Sequence, residues 1–411
     1  MDLRNRIGLY GAYFLGMSGI GFTLPYLPLY LRQEGMSDRD IGLVSTLAAL
    51  AGLVQYPVGI WSDRLNSRKL ILVVALALLA LATGLLQTVH DPIWLGLLVV
   101  LFAENGACRA TIESMAGAEA TRLAEPGRVG AALGTLRLWR PVAIVLVALG
   151  GAFLSGRFGI AFLLIPLTII QTLAVVTALL IHEHRPATGR ARPEPIVENG
   201  GTKKRPIDGA LWAFIGAMVL FHVANAPAGV YLGLFLKSDL EAADQYLAYA
   251  FVVSMPVWML TVLPAGRLAD RFGRKPLLVA GWAAAGLRLA LLAMAQTPEQ
   301  VLAIQVLDGL GQGLFAVVAA AWVTDRLADS RRVGEAQVLV GSALVFGSAV
   351  GPTVSGLLVG DLGYRGMFWL LAGIAGVATL IVITLVPESL PTKAVKTRAT
   401  EAPGVGLEPV Q

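Results

Sequence analysis

Gly266 to Lys275 reads GRLADRFGRK, and Gly59 to Lys69 reads GIWSDRLNSRK. Each follows an apolar run, and each places Gly-x-x-x-Asp-Arg ahead of a basic pair. The two copies lie 207 residues apart, and a second pair, GRVGAA from Gly127 and RRVGEA from Arg331, repeats at an offset of 204 residues. Two anchors nearly in step mark a duplicated unit. Parallel repeats about an axis along the membrane normal are one transporter design, with the substrate site between them near the midplane.

Composition sets the environment of that unit. Of 411 residues, 56% are hydrophobic and 14% charged, with a mean hydropathy of +0.70, whereas soluble domains carry about 25% charged residues. A bilayer-spanning helix needs about 20 apolar residues. Twelve such runs are predicted, over 7–31, 40–61, 70–88, 93–120, 130–154, 160–182, 209–236, 245–265, 276–296, 299–322, 335–359 and 366–386. The first is too long for a signal-peptide core and lacks a small-residue cleavage site. The expected fold is an all-α membrane protein of two six-helix bundles, residues 1–182 and 209–390. A Pro-, Gly- and charge-rich linker, 183–208, joins them, and the polar tail 391–411 is expected to be disordered.

With an even number of spans, 23 of the 32 Lys and Arg fall on the side of the termini and five on the other. The positive-inside rule therefore puts both termini in the cytoplasm, for a multi-pass protein of the cell inner (plasma) membrane. The pI near 9.4 is then topology and not nucleic-acid affinity. The lone Cys108 excludes a disulfide within the chain. There is no phosphate-cradling P-loop, and four scattered histidines make no metal site. The chain reads as neither an enzyme nor a cofactor carrier, and an ion gradient, most simply of protons, would have to drive it.

Ionisable groups inside spans are costly and are functional candidates by default. In the fourth run, FAENGACRATIE (Phe102 to Glu113), read as mid-helix, Asn105, Arg109 and Glu113 form one stripe. Arg109 and Glu113 are expected to pair within the helix. Glu104 falls on another face with Cys108, Thr111 and Met115, free to carry a proton alone. On the tenth, QVLDGLGQG, the residues Gln305, Asp308 and Gln312 share a face. Arg288, on the ninth, lies at the depth of Asp308 and is expected to pair with it. The 204-residue offset carries Glu104 onto Asp308, so each repeat holds a mid-membrane carboxylate at the same place. A polar-pinning role is about even with function for Arg109 and Glu113, and less favoured for Glu104 and Asp308. His222 and Asn225 on the seventh run are candidate cavity residues. Tyr13, Tyr26 and Trp258 suit packing as well as substrate contact.

GRLADRFGRK is a full match to the loop signature of the major facilitator superfamily, and the whole chain resembles a twelve-helix member. The first copy departs from the signature at Asn66 and Ser67. The resemblance implies a gate that locks the outward-facing state, formed by Gly59, Asp63, Arg64, Gly266, Asp270, Arg271 and Arg274. The glycines are expected to let two helices approach closely, and the charges to pair with helix ends and lipid phosphates. GTLRLWRP in helix 5 resembles lactose permease and its aromatic-acid-transporting relatives. That likeness implies that Arg137 contacts substrate, with Glu113 as its partner and Glu119 as a rival. It also implies that Arg288 and the helix 10 polar residues take part in proton coupling, although Asp308 stands where the family has histidine and Gly311 where it has glutamate.

The expectation is a proton-coupled symporter of a small organic solute, working by alternating access as a monomer among membrane lipids. Four buried arginines (Arg109, Arg137, Arg140 and Arg288) against Glu104, Glu113 and Asp308 leave one positive charge over, which favours an anionic solute. The alternatives are a drug or metabolite efflux antiporter, a lipid flippase and a non-transporting membrane sensor. The Gly-Pro-rich motif of efflux antiporters is missing from helix 5, and the nearest match, GSAVGPTVSG, lies in helix 11.

Overall fold

The computed structural model describes residues 3–65, 67–124, 129–182, 208–327 and 333–389, with the side chains of 63–65, 129–131, 327 and 333–339 outside the description. All regular structure among the described residues is helical. The chain opens with α1 (Leu3–Ser18), the single turn α2 (Ile20–Thr23) and α3 (Leu27–Gln33). One helix is predicted over 7–31, yet Leu3–Thr23 and Leu27–Gln33 meet at 55°. Pro25 lacks the amide hydrogen that would continue the ladder, and Pro28 suits the first turn of the helix beyond.

Next come α4 (Asp38–Ala51), α5 (Gln55–Leu65) and α6 (Arg68–Leu85). A capping box between Ser37 and Asp40 starts α4. The predicted fourth span is two helices, α7 (Pro92–Phe102) and α8 (Ala107–Leu123). FAENGACRATIE is therefore not the middle of one helix, because the chain leaves helical geometry from Ala103 to Gly106. A Cβ on Gly106 would lie 2.6 Å from the Val100 carbonyl oxygen, so this turn needs glycine. The first half closes with α9 (Val129–Phe158) and α10 (Leu164–Leu179).

The second half holds α11 (Gly209–Ser238), α12 (Asp244–Phe272), α13 (Arg274–Met294), α14 (Pro298–Leu327) and α15 (Val333–Leu385). The Asp208 side chain caps α11 by accepting from the Leu211 amide at 2.9 Å. Among the described residues, ten helices are long and apolar enough to cross a membrane, or eleven with the bent first pair counted as one. Twelve are expected. The difference lies in α15, which runs through both the eleventh and twelfth predicted spans and leaves helical geometry at Gly363 (φ 67°, ψ 176°). The predicted linker, apart from Asp208, and the predicted tail lie outside the described residues.

The halves meet chiefly through α4 with α15, α9 with α12 and α3 with α11. Among the described residues, every hydrogen bond between them lies from the α3–α4 corner to mid-α4. Arg32 Nη2 and the Tyr364 hydroxyl donate to the Asp38 carboxylate at 2.7 and 3.1 Å. Arg32 Nη1 reaches Ser238 Oγ at 2.6 Å. Tyr231 donates to the backbone carbonyl of Asp38 at 3.0 Å, and Thr46 meets Thr353 at 2.7 Å. The molecule is clasped at the end away from its chain termini.

Candidate functional site

Below the clasp lies a cavity of about 180 Å³, bounded by Met17, Gly52, Glu104 and Glu113 from the first half and by Leu344 and Ser348 from the second. Asn105, Arg109 and Arg140 also reach it. Arg140 is its centre of charge. Its Nη2 donates to Glu104 at 2.8 Å, and its Nη1 stands 3.9 Å from Glu113. Glu113 also accepts from the Tyr13 hydroxyl at 2.7 Å. All three charged side chains are about one-third exposed, which suits groups that meet solute or water.

This geometry corrects four expectations. Glu104 is not alone, because the open turn swings it toward α9 and onto Arg140. Arg109 does not pair with Glu113. The helix break turns its guanidinium back, so that Nη1 donates to the Phe102 carbonyl and the group lies 4.7 Å over the Phe102 ring. It thereby satisfies the open C-terminus of α7 and is itself fully buried. Arg137 does not pair with Glu113 either, since Arg137 is exposed and Arg140, three residues on, takes that carboxylate. The rival Glu119 is buried against Arg122 at 2.9 Å.

The second half matches its expectation more closely. Arg288 is 3.0 Å from Asp308. It also donates to Gln305 at 3.0 Å and to Asn225 at 3.4 Å. Arg288 is 3% exposed and Asp308 21%, so the arginine is locked while the acid retains access. Gln312 is half-buried. His222 is buried against Phe315, with ring centroids 5.0 Å apart, and its Nε2 finds no partner among the described residues. Tyr26 is fully buried beside Gly151, away from the central cavity and in an apolar groove between α1–α2, α9 and α10.

The signature loops fall at the end opposite the clasp. A Cβ on Gly59 would meet nothing within 4 Å, and one on Gly266 only Val317 at 3.8 Å. The expected close approach through these glycines is absent. The second copy forms a local network: Arg274 holds Asp270 at 2.6 Å and Asp325 at 2.9 Å, and Arg271 lies 5.2 Å over Phe272. The glycine that this loop requires is Gly273, at φ +100°. The side chains of Asp63 and Arg64 lie outside the described residues. Sequence reasoning missed the Asp38 clasp. Its only local trace is the SDRD cap, which reads as loop charge.

Comparison with known proteins agrees with this architecture. A family model described as MFS_1 like family matches residues 7–370. An uncharacterized MFS-type transporter of Mycobacterium tuberculosis is 27% identical over 390 residues, 89% of each chain. Multidrug resistance protein MdtL of Vibrio parahaemolyticus is 32% identical over 158 residues, 38% of this chain and 40% of that one. The crystal structure of the nucleoside transporter NupG superposes with a TM-score of 0.76 at 17% identity, covering 94% of this chain and 99% of that one. A bacterial homologue of the human lysosomal transporter Spinster, inward-facing and occupied, gives 0.72 at 15% identity over 93% and 97%. At such identities these two structures speak for the fold alone. The chain belongs to the MFS_1 like family of major facilitator transporters, as a multi-pass membrane protein and not an enzyme.

Proposed function

We propose that this protein is a proton-coupled secondary transporter that carries a small organic solute by alternating access. In this reading Gly363 divides α15 into two crossings, which completes twelve spans as two bundles of six, residues 1–182 and 209–390. Both termini face the cytoplasm of the cell inner membrane, and the clasped end faces out. The protein acts as a monomer. The observation that carries the reading is the central cavity, shut at one end by the Asp38 clasp and walled by Glu104 with Arg140, together with Asp308, the carboxylate at the equivalent repeat position, which pairs with a different arginine, Arg288.

In this proposal the pairs rearrange as the halves move, and a carboxylate takes up a proton only once it has parted from its arginine. That condition couples proton uptake to movement of the halves. Asp308 stands outside the lining of the cavity and Glu104 within it. Arg137, Arg140, Glu113, Gln305, Gln312, His222 and Asn225 remain the solute-contact candidates. Arg137 is exposed and leaves the buried count, so the positive excess that pointed to an anionic solute disappears and we assign the solute no charge.

A second reading, efflux antiport, is favoured by the MdtL match and by Glu104 and Glu113 at the cavity wall, where a cationic solute and a proton would compete. The test begins with a thermal-shift screen of metabolites at two pH values, followed by uptake of the hit into proteoliposomes. Glu104→Gln and Asp308→Asn should each abolish gradient-driven accumulation while leaving solute counterflow in place. Accumulation that survives in the double variant would end the proposal.

A further inference from the structure

The apolar groove beside Tyr26 is a slot in the wall of the first half that the transport reading does not use. Its volume is about 320 Å³. Two glycines bring its sides together: a Cβ on Gly21 would lie 2.5 Å from the Ile144 carbonyl oxygen, and one on Gly151 2.8 Å from the Tyr26 ring. α2 and Tyr26 thus sit directly on α9. A third glycine leaves the gap open, because a Cβ on Gly150 would meet nothing within 4 Å. Pro166, Leu167 and Ile170 of α10 close the far side. Ser18, also in the wall, turns its hydroxyl back to the Leu15 carbonyl at 2.6 Å.

The slot faces the bilayer and not the central cavity. At about 100° per residue, Leu146, Gly150, Leu154 and Arg157 share one face of α9, and the first three line the slot. Leu146 is 56% exposed, so the medium that meets this face is hydrocarbon. From Leu146 to Leu154 the slot follows α9 for about 12 Å. The face ends at Arg157, which is exposed. Its guanidinium lies 4.6 Å over the Phe153 ring, and among the described residues no carboxylate pairs with it. At the same end Phe158 and Phe162 lie with ring centroids 4.7 Å apart. Aromatic rings and a cation at a helix end mark the headgroup level of a membrane.

We propose that the slot holds one acyl chain of an anionic phospholipid whose phosphate is bound by Arg157. The chain is hydrocarbon because the walls are apolar and open to the bilayer. The headgroup is anionic because the mouth presents an unpaired guanidinium, whose fork matches phosphate oxygens. α9 runs from Ile144 beside Gly21 to Gly151 beside Tyr26, toward α3, so the lipid belongs to the leaflet on the clasped side. Packed against Gly21, Phe22 and Tyr26, it buttresses the 55° bend that carries α3 and Arg32 to the clasp.

The test needs no transport substrate, so its failure is distinct from failure of the transport reading. The purified full-length protein in mild detergent is titrated with dioleoylphosphatidylglycerol and with dioleoylphosphatidylcholine. Native mass spectrometry counts retained lipid, and thermal unfolding follows the midpoint. The wild type should retain one phosphatidylglycerol, and its midpoint should rise saturably at lower concentration than with phosphatidylcholine. Arg157→Gln should raise the phosphatidylglycerol concentration required by about fivefold and bring the two lipids level. Gly150→Leu, whose side chain enters open space, should fold and should lose the saturable rise with both lipids. A wild type that shows no preference for phosphatidylglycerol would overturn the proposal, as would Arg157→Gln and Gly150→Leu titrations indistinguishable from wild type.

Discussion

The 204-residue offset lays α7–α8 over α14, and the two regions solve one problem differently. In the second half the register positions are Gly309, Gly311 and Gly313. A Cβ on Gly309 would lie 2.7 Å from Val257 Cβ, one on Gly311 2.8 Å from the Gly281 carbonyl oxygen, and one on Gly313 2.7 Å from Thr261 Cβ. Glycines thus seat α14 directly on α12 and α13, and the helix stays continuous. The first half has Asn105, Ala107 and Arg109 at these positions. There the helix opens, and Arg109 folds back to satisfy the broken end. The repeated carboxylate survives in both. Glu104 is held by the following helix at the cavity wall, and Asp308 by the preceding helix in a buried network with Gln305 and Asn225. Position is conserved between the repeats and support is not.

The difference in burial sets the largest expected effect. Arg288→Ala leaves Asp308 and Gln305 without their buried partner and should cost about 3–5 kcal/mol. Arg140→Ala acts at a site about one-third exposed, where the pair is worth roughly 1 kcal/mol or less. Thermal unfolding in detergent ranks the two, and equal losses would break the comparison. Helix seating comes next. Gly309→Ala forces the α12–α14 contact apart and should cost about 1–3 kcal/mol. Asn105→Ala, at the same register in the first half, should stay within about 0.5 kcal/mol, because the Asn105 side chain is exposed in the open turn.

Most of the helices were legible because a crossing must satisfy its backbone internally and clothe it in apolar side chains, which writes a long hydrophobic run into the sequence. The Arg288–Asp308 pair was legible from depth alone, since both lie on unbroken helices where counting residues measures distance. The same counting failed at Arg109. It assumed a continuous helix across Ala103–Gly106, although Asn105-Gly106 is a turn dipeptide that the flanking hydrophobicity overrode. The Pro25 bend was missed for a similar reason, because hydropathy is blind to a missing amide hydrogen. The clasp on Asp38 was beyond reach. It joins Asp38 to Tyr231 and Tyr364, 193 and 326 residues away, and nothing local to any of these residues records the contact.

The central claim is that proton and solute movement are coupled through the carboxylates at equivalent repeat positions, Glu104 and Asp308. Its most direct test follows solute uptake and internal pH simultaneously in proteoliposomes, for the wild type and for Asp308→Asn. The account predicts a proton flux that rises and saturates with solute flux in the wild type and vanishes in the variant. Solute accumulation with no accompanying pH change, persisting in Asp308→Asn, would contradict it.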